Sequence, residues 1–409
     1  MVYRLKSIVI LLFPCFFSFS QTKILDSTNS TKMLTEVFVV SNPGVRGTSS
    51  LLDFDGFRLA TGKKTELISL LKIDANLANQ SFREVFGRTP GLHVIESDPS
   101  GLNTSIAIRG LSTNRSWDFN MRQNGYDITP DPMGYNEAYY TPSFELVEKI
   151  EVIRGPKAAW YGSDALGGVI AITTRQGQKV EFNANAGSFG QAEASLSGSS
   201  KVQDNLNLFG TVGTARAEGF SAKLNADPDD DGYKQSYLKA GADYQSAFGL
   251  FKWQSQLNDG YYEFDTSYGG DKANTQQDSH QLDWSLQQDV VNHQLKLSHS
   301  IDRDTTYGVD VADSLFETKR EEASYQATVT LNQQWNLIGG TNWYQELVNK
   351  NDPNYSQDKR TNQSVFSGVG FQGEQWLFDA TGRHDNVTAY GNKNTYQLSA
   401  GYRFTEQLT

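Results

Sequence analysis

Cysteine is all but missing from this chain. One cysteine in 409 residues excludes a disulfide framework and any multi-cysteine metal site. Methionine and proline are scarce, at 4 and 10. Positive charge is also short: 36 Lys and Arg stand against 47 Asp and Glu, for a net charge of −11. A nucleic-acid partner, which wants a basic patch or stripe, is therefore not expected. Apolar residues reach only 38%, yet aromatics make up 12%, which excludes disorder over most of the length. What is abundant is glycine (36), with Tyr, Asn, Gln, Ser and Thr, set among alternating apolar residues. That is the profile of many antiparallel strands and turns, and it excludes a helical bundle.

Only one long apolar run exists, at the N-terminus. Arg4 and Lys6 precede an apolar stretch from Ser7 to Ser20, with small residues at Ser18 and Ser20. This reads as a secretory signal peptide over 1–20, cut between Ser20 and Gln21. A membrane anchor is disfavoured by Pro14 and the polar sequel, and lipidation of Cys15 by Phe13 and Pro14. The mature chain then has no cysteine and no further segment of membrane-helix length.

Three textures follow. Residues 21–59 are a polar lead, broken by the apolar burst Glu36, Val37, Phe38, Val39 and Val40. That burst is either an edge strand of the next domain or a segment that adds a strand to another protein's sheet. Residues 60–176 are mixed, with helices expected at 66–71 and 81–86 and strands at 92–95, 105–109 and 167–174. Residues 145–154 start helix-like and end as a strand, and 111–143 reads as a long functional loop. From 177 to 409 apolar and polar residues alternate, as in Leu282, Trp284 and Leu286 against Gln281, Asp283 and Gln287. Period two puts one set on each face of a strand.

A soluble sandwich also alternates. Here the polar face carries Gln, Asn, Lys, Arg and Asp throughout, which suits a wet interior behind a lipid-facing exterior. Tight turns are expected near 188–190, 245–249 and 289–292, and long polar loops at 215–235, 259–278, 302–318 and 345–360. About twelve strands of an antiparallel transmembrane β-barrel result.

The stretch from Val147 to Thr174, with Ile153-Arg154-Gly155, Trp160-Tyr161-Gly162-Ser163 and Gly167-Gly168, resembles the closing motif of the plug domain in TonB-dependent outer-membrane receptors. Leu92 to Gly110 looks like the earlier plug strand pair, and Glu36 to Val40 sits where such receptors carry the TonB box. The plug end and barrel resemble the cobalamin-receptor branch, while Asn120 to Tyr140 looks like the ferric-citrate and siderophore branch. Where many plugs have an Ile-Asp-Gly-Val strand, this chain has Arg122, Gln123, Asn124, Gly125 and Tyr126. The resemblance implies an N-terminal α+β plug domain (60–176) inside a 22-stranded barrel, of which 177–409 would supply about half. It implies an outer-membrane location, assembly by the barrel machinery, contact with outer-membrane lipid, and periplasmic TonB as the energy-coupling partner. Twelve strands do not close such a barrel, so a C-terminally truncated chain is expected.

Arg109 and Arg154 each end a strand ahead of glycine and are candidate plug anchors, each guanidinium forking onto a barrel-wall carboxylate. Ligand contacts are expected at plug tips: Ser100, Asn103, Arg115, Trp117, Arg122, Gln123, Tyr126, Tyr139 and Tyr140. The expected function is active uptake of a scarce, large nutrient: Arg115, Arg122 and Gln123 make an anionic ferric chelate the first reading, and the barrel's likeness makes a corrinoid the alternative. Asp227 to Gly232 has a calcium-loop spacing but lacks the closing Glu, since Leu238 stands there. The resemblance matches Asp229, Asp231 and Asp265 to calcium ligands, and a solvated acidic loop is the other reading. No other cofactor is implied. The five His share no metal-ligand spacing, and no nucleophilic set is visible, so an enzyme is not expected. A barrel hydrolase and a passive porin are the alternatives from other classes.

Overall fold

The computed structural model describes residues 47–49, 51, 65–73, 75, 77, 82–87, 89–96, 104–112, 118–128, 142–155, 158–162, 165–176, 179–220, 230–264, 270–308, 314–350, 359–388 and 390–404. The signal peptide and the segment Glu36 to Val40 lie outside these residues. So do Ser100, Asn103, Arg115, Trp117, Tyr139, Tyr140, Asp229 and Asp265.

Eight short strands come first. They are β1 (Thr48–Ser49), β2 (Glu66–Ser69), β3 (Leu92–Glu96), β4 (Thr104–Ile108), β5 (Phe119–Gln123), β6 (Tyr126–Asp127), β7 (Val147–Arg154) and β8 (Gly168–Thr174). Two short helices, α1 (Phe82–Phe86) and α2 (Ala158–Tyr161), lie among them. Six strands form one sheet in the order β1-β2-β7-β8-β5-β6, and β3 and β4 make a separate hairpin. The contact of β5 with β8 is parallel, while β7 and β8 are antiparallel. The apolar residues of α1 fall at i, i+3 and i+4, so Phe82, Val85 and Phe86 all reach the core. Phe82 stacks on Phe86 at 5.4 Å and meets Phe144 edge-on at 5.0 Å. Ile68, Ile106, Ile108, Met121, Ile150, Val152, Ile170 and Ile172 belong to the same dry core.

Two local expectations are corrected. Residues 66–69 are a strand, not a helix, because Ile68 is fully buried in the pairing of β2 with β7. The sequence Glu66-Leu-Ile-Ser-Leu-Leu71 fits either period, and tertiary pairing decides. The supposed loop 111–143 contains β5 and β6, joined by Asn124 and Gly125. No alternation announces β5 because it is buried along both faces, including the polar Asn120 and Gln123.

Twelve longer strands follow: β9 (Glu181–Ala186), β10 (Ala192–Gln203), β11 (Leu206–Ala217), β12 (Tyr233–Ser246), β13 (Gly249–Glu263) and β14 (Gly270–Gln288). The second half of the wall is β15 (Val291–Gly308), β16 (Ser314–Thr330), β17 (Trp335–Lys350), β18 (Lys359–Gln372), β19 (Trp376–Val387) and β20 (Gly391–Tyr402). Each pairs with its sequence neighbours in one antiparallel meander, whose edges are β9 and β20. The polar residues of the alternation face the plug: Gln256, Gln277, Gln281, Thr318, Arg320 and Glu322 are each at most 8% exposed. The opposite face carries Trp253, Leu257, Leu282, Leu297 and Leu337, each at least 38% exposed. A polar lumen and an apolar exterior are what a transmembrane barrel wall requires. Among the described residues no helix is long and apolar enough to cross a membrane.

Successive connections of a meander alternate between rims. The tight turn at 187–191 therefore lies on the same rim as the long connection 218–232, not among the short turns opposite. The strands also run further than expected, so that the later connections shrink to 264–269, 309–313 and 351–358.

Candidate functional site

The turn that sequence alone reads as loop becomes a clasp between plug and wall. β5 and β6 form a hairpin whose tip, Asn124 and Gly125, has positive φ at both residues (54° and 87°). Such a turn suits an Asn-Gly pair, since both tolerate the left-handed region. Asn120 donates to the Asp127 carboxylate at 2.8 Å across the hairpin. Asn124 is tied back to Thr174 of β8, accepting its backbone N–H at 2.9 Å.

Every residue from Arg122 to Asp127 then meets the wall. Arg122 pairs with Glu322 of β16 at 3.6 Å. The Gln123 amide donates to Gln256 of β13 at 2.9 Å. The carbonyl of Asn124 accepts from Lys296 of β15 at 3.2 Å, and the Lys296 ammonium packs against Gly125. The Tyr126 hydroxyl reaches the Asp283 carboxylate of β14 at 3.0 Å and the Leu282 carbonyl at 3.1 Å. Asp127 pairs with Arg320 of β16 at 3.4 Å. Arg320 also binds Glu346, stands 3.5 Å from Glu322, and lies 4.2 Å over the Tyr344 ring.

Charge balances in this seam. Arg122 faces Glu322, Lys296 faces Asp283, and Arg320 faces Asp127, Glu322 and Glu346, so each of these buried cations has an opposite neighbour. That matters because an unpaired buried ion costs far more than a pair returns. Burial, then the neighbouring Asp283 and Glu322, push the Tyr126 phenol well above its ordinary pKa. It therefore stays protonated and keeps its hydrogen to donate.

A second attachment holds the end of the plug. Lys239 of β12, 1% exposed, donates to the Thr174 hydroxyl and to the Arg175 carbonyl at 2.8 Å. Asn183 of β9 donates to Glu145 at 3.1 Å.

The residues singled out from sequence fall differently. Gln123 and Tyr126 are 2% exposed and turned to the wall, in the seam. Arg122 shares that seam. Arg154 contacts Glu66 at 3.4 Å and the Pro90 carbonyl, which braces the plug internally. Arg109, exposed and at φ 56°, lies against Gly155, so the two Ile-Arg-Gly ends meet each other. Asp231 is 3% exposed, and the next N–H, of Gly232, is held by the Glu263 carboxylate at 3.2 Å. A buried carboxylate at the base of an acidic loop fits a cation ligand, though the described residues hold no group of three metal-ligating side chains. Sequence reasoning missed Lys239, Gln256, Asp283, Lys296, Arg320 and Glu322. Their one signal is a charged or amide side chain in mid-strand on the lumen face.

The tip offers a direct check. A Cβ at Gly125 would overlap the Lys296 ammonium and force it off the Asn124 carbonyl, on top of the strain at φ 87°. Gly110 has φ 76° but nothing within 4 Å of a Cβ. Gly110→Ala is expected to cost about 1 kcal/mol of strain, and Gly125→Ala about 1 kcal/mol more for the lost Lys296 contact. Denaturant unfolding of both variants in detergent micelles checks the difference.

Comparison with known proteins agrees with this architecture. Residues 58–169 match the family described as TonB-dependent Receptor Plug Domain. The chain is 31% identical over 349 residues to the vitamin B12 transporter BtuB of Photobacterium profundum, covering 82% of this chain and 56% of that one. The BtuB of Vibrio cholerae is 24% identical over 361 residues, covering 84% and 57%. The chain thus spans little more than half the length of the curated relatives it matches. Among solved structures, the ferric enterobactin receptor PfeA of Pseudomonas aeruginosa superposes with a TM-score of 0.69 at 15% identity, over 85% of this chain and 60% of that one. The copper transporter OprC does so with a TM-score of 0.66 at 14% identity, over 87% and 60%. At such identities the structural likeness speaks for the fold alone. Both of these curated relatives are described as vitamin B12 transporters.

Proposed function

Since the chain belongs to the TonB-dependent receptors of the outer membrane, we propose that it is the plug-bearing part of a receptor for active uptake of a corrinoid of the cobalamin type. The observation that carries this reading is the 31% identity to a B12 transporter over 82% of the chain. The geometry supports it by engaging two of the residues that favour a ferric chelate in plug–wall contacts. The lean towards an anionic ferric chelate rested on Arg115, Arg122 and Gln123. Gln123 is taken by Gln256 and Arg122 is paired with Glu322, while Arg115 lies outside the described residues. A ferric chelate stays as the second reading, favoured by the cationic lining of a cavity beside the hairpin.

TonB would take the Glu36 to Val40 segment as an added strand and pull on the plug through it. Asp229, Asp231 and Asp265 would hold calcium in the loops outside the wall and so order them around the ligand. Titrating the purified receptor with cyanocobalamin and with a panel of ferric siderophores tests the substrate. Tight cyanocobalamin binding, weakened by a calcium chelator and by Asp231→Asn, is expected. Tight binding of a ferric siderophore with none of cyanocobalamin would reverse the two readings, and chelator-independent binding would remove the calcium.

A further inference from the structure

Beside the hairpin, between α2 and strands β15 to β19, lies a cavity of about 420 Å³. Its lining is unevenly charged. Arg122, Lys296, Arg320, Arg360 and Arg383 face it, against two carboxylates among the described residues, Asp127 and Glu322. The other carboxylates that pair with these cations, Asp283, Glu346 and Asp385, stand outside the lining. Two arginine donors here, Nε of Arg122 and Nε of Arg320, are buried without a hydrogen-bond partner. A buried donor left without a partner marks a place where water or an ion completes it. Tyr344 lies 4.2 Å beneath the Arg320 guanidinium and 5.7 Å from that of Arg360, which holds both groups in place before anything binds.

We propose that this cavity is an inner anion site, which takes a phosphate or carboxylate group on Arg122, Arg320 and Arg360. Its size suits such a group or the arm that carries it, not a whole corrinoid or siderophore. Planar guanidinium forks bind these anions through paired hydrogen bonds. Two of the three arginines also hold the hairpin, Arg122 through Glu322 and Arg320 through Asp127. An anion in the cavity competes for them, so occupancy loosens the hairpin from the wall. Only the origin of the anion, on the transported ligand or free in solution, rests on the proposed uptake function.

The test is titration of the purified protein in detergent micelles with inorganic phosphate, against chloride at equal ionic strength, with amide hydrogen exchange read at residues 119–128. Saturable phosphate binding is expected, at least tenfold weaker in Arg360→Gln, with faster exchange at 122–127 when phosphate is bound. The Arg360 side chain is 31% exposed, so its loss should leave the fold intact. Arg383→Gln provides the second variant, with tryptophan emission as the check that each is folded. Phosphate binding no tighter than chloride, affinity unchanged in both variants, or unchanged exchange at the hairpin would each overturn the site. A parallel titration compares cyanocobalamin, which carries a phosphodiester, with cobinamide, which lacks it. Loss of cyanocobalamin affinity in saturating phosphate, with cobinamide unaffected, assigns the anion to the ligand, and no competition assigns it to free phosphate. If cyanocobalamin fails to bind while phosphate binds, the substrate reading falls and the anion site stands.

Discussion

Arg320→Ala is expected to be the most damaging single substitution in the lumen of this protein. The Arg320 side chain is 7% exposed and faces three carboxylates, those of Asp127, Glu322 and Glu346. Removing it leaves them without their common counter-ion in a site shielded from water. Breaking a buried ion pair from one side costs about 3–5 kcal/mol. Arg320→Lys keeps the charge but loses the fork, so an intermediate loss is expected. Arg303 is the control, because its 2.5 Å pair with Glu317 has a side chain 42% exposed. An exposed pair contributes about 0–1 kcal/mol, so Arg303→Ala should be nearly silent. Denaturant unfolding in micelles ranks the three variants. Equal losses for Arg320→Ala and Arg303→Ala would show that the wall charges do not hold the plug.

Val39→Pro should have the largest effect on transport. If Glu36 to Val40 joins the TonB sheet as a strand, proline at its fourth residue removes one ladder donor and fixes φ. Uptake of labelled cyanocobalamin by cells should fall to background, with binding to the receptor unchanged. Val39→Thr keeps the N–H and should retain most of the rate. Uptake by the proline variant at the parent rate would move the coupling segment elsewhere in the chain.

The barrel wall is the most legible part of the sequence, because a single physical rule, polar in and apolar out, repeats along the apolar band of the wall. Its strand ends were less so. Above the apolar band the outward residues turn polar as well, as Asp278, His280, His299 and Glu321 do, each 41–52% exposed. A strand that is polar on both faces reads as loop. In the plug, the closing strand pair was legible from its motif and its apolar runs. The hairpin 122–127 was not, because its neighbours are far away in sequence: Gln123 meets Gln256 and Tyr126 meets Asp283. Polar residues without a period look like a surface loop until the wall that satisfies them is known. Arg154 shows the converse. Its motif marks a structural arginine, and its contacts with Glu66 and Pro90 lie within the plug, a pairing no local pattern announces.

The most direct test of a plug clasped to its wall by this hairpin is a double-mutant cycle on Tyr126 and Asp283. Their side chains meet at 3.0 Å although they are 157 residues apart, one in the plug and one in β14. Tyr126→Phe, Asp283→Asn and the double variant are unfolded in micelles beside the parent. A clasped hairpin requires a coupling of about 1–2 kcal/mol, as groups in one hydrogen-bond network show. Effects that simply add, to within about 0.5 kcal/mol, would mean that the two residues do not touch and that the plug is held to the wall in some other way.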